Sequence, residues 1–195
     1  MFKCFLVLMT ILSLHTCSVN KIHAEVNFKP EDAHAGIIYG DNHAFFLTAP
    51  KGWVLDNFSG VSQGLHAVFY RLGSSWSDAK SVMYANTVSK EVQGDETIDK
   101  VIEGDVSRFR ATSPNLSVIS TAPSITGDRK EAIVKLFFGD RYSNHEAVAY
   151  IDERKVVVII VLSSRSKEEF EASLPAFKEL VGSYRFFTED VRIDK

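Results

Sequence analysis

The sequence predicts an α+β fold: a largely antiparallel central sheet flanked by helices, in an α/β/α sandwich. Three observations carry this reading. Short apolar runs punctuated by Gly, Asp, Asn and Pro recur along most of the chain, as strands and turns do. In two places, Thr97 to Ala111 and Ser166 to Tyr184, the apolar spacing changes to three and four residues, the helical period. The run Val156 to Leu162 is apolar on both faces, as in a strand buried mid-sheet with cover on each side.

Taken in order, Gly36 to Tyr39 and Ala44 to Thr48 form a hairpin around Gly40-Asp41-Asn42, and Pro50-Lys51-Gly52 ends its second strand. His66 to Leu72 and Ser81 to Ser89 are further strands, joined through Gly73-Ser74-Ser75-Trp76. Ile98, Val101, Ile102, Val106 and Phe109 line one face of the first helix, and Pro114 stops it. Asp95, Glu96, Asp99, Glu103 and Asp105 make its start acidic, which suits the helix dipole and reads as a solvated face. Leu116 to Thr121, Ala132 to Phe138, Ser143 to Ile151 and Val156 to Leu162 are four more strands. In the last helix Ser166 is the N-cap, with Glu169 as its reciprocal partner. Phe170, Leu174, Phe177, Val181 and Tyr184 line its apolar face, and Pro175 should bend or divide it.

The chain begins as an exported protein does. Lys3 precedes the apolar run Cys4 to Met9, and Ala24 is a small residue at a cleavage position. The expected organisation is a signal peptide over 1–24, a polar lead-in over 25–35, one domain over 36–187 and a polar tail over 188–195. The expected localisation is the periplasm or the medium. A second reading retains Cys17: Leu14-His15-Thr16-Cys17 resembles a bacterial lipobox, which would place a lipid anchor at Cys17 and make an outer-membrane lipoprotein. No later stretch is long and apolar enough for a membrane span. Lys and Arg number 22 against 25 acidic residues, so nothing in the charge balance points to nucleic acid as a partner.

Ala44-Phe45-Phe46-Leu47-Thr48-Ala49-Pro50-Lys51-Gly52-Trp53 resembles the opening of PsbP-like domains, where an amphipathic strand runs into Pro-x-Gly-Trp and then a variable loop. The closing segment Glu168 to Phe186, after a strongly apolar strand, is similar to theirs. The resemblance covers roughly residues 36 to 187. It implies a central antiparallel sheet between helical layers, in a bacterial exported member of a superfamily that works mostly by binding or assembling other proteins. It implies no catalytic residue, and the metal and chloride roles of the photosystem members have no matching motif here.

Gly60-Val61-Ser62-Gln63-Gly64 matches the G-x-S-x-G elbow of serine hydrolases, so an esterase-like enzyme using Ser62 is the alternative to a binding protein. Its context is wrong: loop precedes it and strand follows, with no positioned histidine. Ser77-Asp78-Ala79-Lys80 matches S-x-x-K without the companion motifs. His34, His43, His66 and His145 form no metal-binding spacing, and neither a metal nor another cofactor is expected. The polar loop 57–64 lies between the two tryptophans and has no apolar period. The candidate binding surface is therefore Trp53, Asn57, Ser59, Gln63, His66 and Trp76, with an envelope protein or a small ligand as the partner.

Overall fold

The structure, a computed structural model, describes residues 34–90 and 97–192. The expected signal peptide, Cys17, most of the lead-in and the acidic pair Asp95 and Glu96 lie outside the described residues. Among those described, no helix is long and apolar enough to cross a membrane.

Strands β1 (Ala35–Gly40) and β2 (His43–Thr48) form the expected hairpin, and Asn42 takes the left-handed backbone (φ 64°) that its tight turn requires. The chain continues through β3 (Trp53–Asp56), β4 (Ala67–Arg71) and β5 (Ser81–Ser89) into helix α1 (Ile98–Thr112). Then come β6 (Ser117–Ser120), β7 (Ser124–Ile125), β8 (Glu131–Phe138), β9 (His145–Asp152) and β10 (Val156–Ser164). Helix α2 (Lys167–Ser183) and β11 (Arg185–Thr188) close the fold. The large sheet runs β3-β4-β5-β10-β9-β8-β6, with β7 also on β8, and every pairing is antiparallel. A second sheet, β1-β2-β11, stands apart from it.

β10 holds the centre, between β5 and β9. Val156, Val158, Ile160 and Leu162 face α2, whose Phe170, Phe177, Leu180 and Val181 share their core with Phe45 and Leu47 of the small sheet. Val157, Ile159 and Val161 face the other way, towards Val101 and Ile102 of α1. A large aliphatic side chain contributes about 1.5–3 kcal/mol when fully buried, so a strand buried on both faces is a strong organiser of the sheet.

Several local expectations need correction. Trp53–Asp56, to which the sequence reading assigns no strand, is one: all four residues are buried and pair with β4. The capping box of α2 is half made. Ser166 Oγ accepts from Glu169 N (3.3 Å), but the Glu169 carboxylate turns to Lys80 Nζ (3.4 Å), and Ser166 N donates instead to Ser164 Oγ (3.2 Å). Helix α2 is not divided at Pro175. Pro175 and Glu171 are both exposed, so water can take the carbonyl that the proline leaves free. Asp105 is no solvated residue: it points inward and accepts from Tyr150 Oη (3.1 Å). Tyr184 lies just beyond the helix, buried in the core against Phe45, and its hydroxyl donates to the buried Glu153 carboxylate (2.9 Å), which also pairs with Lys130.

Candidate functional site

Register builds the principal recess. β5 pairs Ser81 with Ser164, and β9 pairs His145 with that same Ser164. Three strand ends therefore align, and the residues just beyond them, Lys80, Asn144 and Arg165, come together. With Trp76, Ser77, Ser163 and Ser166 they line a cavity of about 510 Å³. Trp76 is held edge-on against Tyr84 (6.4 Å between ring centroids, 88° between planes). Lys80 Nζ is shared with Glu169 (3.4 Å), and Arg165 is exposed. The site thus offers an aromatic wall, two cations and several hydroxyls.

Behind this recess lies a buried acidic pocket. Ser163 Oγ donates to Glu146 Oε1 (2.9 Å), and Glu146 is only 8% exposed. Burial pushes its carboxyl above the usual range. The Ser163 bond opposes that shift, and the charges of Asp140 and Asp105 add to it. Asp105 is raised for the same first reason, against Arg108 and the Tyr150 bond. Burial also raises the Tyr84 and Tyr150 phenols, with Glu146 and Asp105 adding to both.

A second feature organises the loop after β3. The Asp56 side chain, in a residue 2% exposed, accepts from Phe58 N (2.7 Å), Ser59 N (3.0 Å), Ser59 Oγ (2.6 Å) and Tyr70 Oη (2.9 Å). Burial alone would raise this carboxyl. The bonds from Ser59, Phe58 and Tyr70 together outweigh it and hold the carboxyl below the usual range. Gly60 fits beneath the loop because a Cβ there would lie 2.5 Å from Val68 Cγ1 and 2.9 Å from Leu65 Cβ. Asp56 was invisible as a hub in the sequence. Its only signal was an Asp before Asn-Phe-Ser, the Asx-turn pattern.

The six residues of the candidate binding surface do not form one patch. Trp53 is 3% exposed, in the core facing α2 with the Arg71 guanidinium over its ring (5.4 Å). Trp76 packs on the opposite face of the sheet and walls the recess. Asn57 and His66 line a separate groove beside β1, Ser59 is bound to Asp56, and Gln63 is exposed on a short 3-10 turn, Val61–Gln63. Ser62 sits on that same turn between two strands, and no strand-turn-helix elbow is present. Among the described residues no histidine is hydrogen-bonded to its hydroxyl. Ser77 meets Ser75 Oγ (3.1 Å), not Lys80. His66 lies within electrostatic reach of His43, whereas His145 packs against Phe138 and Phe170 beyond the middle of the sheet. Among the described residues no group of three or more His, Cys, Asp or Glu is placed to hold a metal ion.

No family model matches the sequence, and no curated protein matches it. Several solved structures are similar at low identity. The solution structure of cyanobacterial PsbP from Synechocystis sp. PCC 6803 is 14% identical with a TM-score of 0.49, over 80% of this chain and 94% of that one. The crystal structure of LpqN, described as involved in cell envelope biogenesis of Mycobacterium tuberculosis, is 12% identical with a TM-score of 0.49, over 80% and 94%. A mutant of the protein Mog1 is 13% identical with a TM-score of 0.40, over 76% and 86%. The likeness is a distant one of fold.

Proposed function

We propose that this is a non-enzymatic binding or assembly protein of the bacterial envelope, exported to the periplasm or secreted, and that the recess beneath Trp76 holds its ligand. The carrying observation is the composition of that recess: Trp76, Lys80, Arg165 and several serine hydroxyls around about 510 Å³. An aromatic wall beside cations and hydroxyl groups suits a small anionic or polyhydroxylated envelope component. Ser163 is tied to the buried Glu146, so its hydroxyl is positioned before a ligand arrives, while Lys80 is exposed and shared with Glu169.

The test is native mass spectrometry of the protein recovered from its envelope fraction, followed by Trp fluorescence titration with any co-purifying molecule. Trp76→Phe and Arg165→Ala should each weaken binding about tenfold, a loss of about 1.4 kcal/mol. Gln63→Ala should not. Labelling of Ser62 by a fluorophosphonate, with ester turnover that Ser62→Ala abolishes, would refute the reading.

A further inference from the structure

The small sheet is open at β1. Among the described residues the sheet order puts β1 at its end, with β2 on one side and no strand on the other. The two-residue turn makes Gly40–His43 a hydrogen-bonded pair, and antiparallel alternation then makes Ile38–Phe45 and Gly36–Leu47 the same. The N–H and C=O groups of Ile37 and Tyr39 are therefore directed away from β2. The same two residues hold their side chains in solvent, Ile37 at 53% and Tyr39 at 59% exposure.

Beside this edge lies a groove of about 430 Å³, bounded by Ile37, Ile38 and Tyr39 on one side and Asn57 and His66 on the other. Its nearer end is close: a Cβ on Gly36 would meet Leu55 Cδ1 at 3.4 Å and Asn57 Nδ2 at 4.0 Å. The loop forming the far wall carries two more exposed apolar side chains, Phe58 and Val61. An apolar small molecule would leave the outward donors and acceptors of β1 unanswered. A strand answers both, since it supplies alternating N–H and C=O groups at the spacing of β1 and side chains on alternate faces.

We propose that the free edge of β1 and the groove beside it bind an extended segment of another protein by strand addition. The segment carries apolar side chains at alternate positions, to lie beside Ile37 and Tyr39. This surface is built from different residues than the recess beneath Trp76, so either can fail without the other.

The probe is the peptide acetyl-Lys-Val-Thr-Val-Thr-Val-Lys-amide, titrated into the full chain with amide exchange followed residue by residue. Binding should slow exchange at Ile37 and Tyr39. N-methylation of one alternate set of peptide amides should abolish binding, and methylation of the other set should leave it intact, because only one set faces β1. Ile37→Pro removes an outward N–H without removing a bond to β2, and should weaken binding at least tenfold. If that variant does not fold, the two methylated peptides decide the matter on the unaltered chain. The proposal is overturned by absence of binding at millimolar peptide, by equal binding of both methylated peptides, or by protection centred on Trp76. It is also overturned if sedimentation shows a dimer in which Ile37 and Tyr39 are already protected, since a second copy would then own the edge.

Discussion

Replacing Asp56 with Asn tests the claim that a charged carboxylate orders the loop after β3. The native side chain accepts four hydrogen bonds, from Phe58 N, Ser59 N, Ser59 Oγ and Tyr70 Oη. Asparagine keeps one acceptor oxygen, so the two backbone bonds at Asp56 Oδ1 survive in weakened, uncharged form. The two hydroxyls on Oδ2 would meet an amide NH₂ and would have to turn round. Hydrogen bonds to charged groups contribute about 1.5–3 kcal/mol each and neutral ones about 0.5–1.5. With partial compensation by reversed hydroxyls, the net loss at pH 7 should be about 2–4 kcal/mol, a Tm drop of several degrees in a chain of this size. The pH dependence is the sharper readout. The carboxyl lies below its usual range in the folded state, so its stabilisation is present above the unfolded pKa and is lost as pH falls through the folded one. Urea unfolding of wild type and Asp56→Asn should show a gap at pH 7 that closes in acid, where the protonated native side chain comes to resemble the amide. Equal stabilities at pH 7, or a gap that widens in acid, would refute the reasoning.

Glu146→Gln should raise stability at neutral pH by about 1–3 kcal/mol, because among the described residues no cation pairs with the buried carboxylate and glutamine can still accept from Ser163. The sign follows from a raised carboxyl: the folded state holds the proton more tightly, so wild-type stability falls as pH rises above the ordinary carboxylate range. Thermal unfolding across pH 4 to 8 should show the variant's advantage growing with pH, and an advantage that shrinks would contradict it. Gly60→Ala should cost about 1–3 kcal/mol in chemical denaturation, since its Cβ would sit 2.5 Å from Val68 Cγ1 in a packed loop. A neutral result would mean the loop moves aside freely.

Most of the fold was legible because burial follows simple periods. β5 was read to its exact ends, and β8, β9 and β10 within two residues, because apolar runs end at turn residues such as Gly139-Asp140 and Asp152-Glu153. The misses have physical causes. β3 is buried at all four positions, so it shows no alternation, and its residues Trp53 and Asp56 suggest a loop opening. β7 is two residues long and exists only through its partner β8. Tyr184 continues the spacing of Phe177 and Val181, so the helix seemed to include it. In fact the chain has already left the helix, and Tyr184 still packs in the core against Phe45, its hydroxyl satisfied by Glu153.

The sites were legible only where one local segment makes them. The G-x-S-x-G match rests on a spacing that any short turn can produce, and here it encodes packing. Gly60 gives room beneath Val68 and Leu65, and Gly64 (φ 75°) ends the 3-10 turn in the left-handed conformation. The recess beneath Trp76 takes Ser77 and Lys80 from the S-x-x-K match, but that match does not reveal the rest of its lining. Lys80, Asn144 and Arg165 are far apart in sequence and meet because Ser81, His145 and Ser164 share a rung of the sheet. A one-residue slip in either pairing would bring different residues to that rung, so the register of β5, β10 and β9 fixes which polar residues stand together at its end. The free edge of β1 belongs to the same class of feature. Ile37 and Tyr39 look like ordinary hairpin residues until the strand order of the described residues leaves β1 paired on one side alone, and strand order is a property of the assembled sheet.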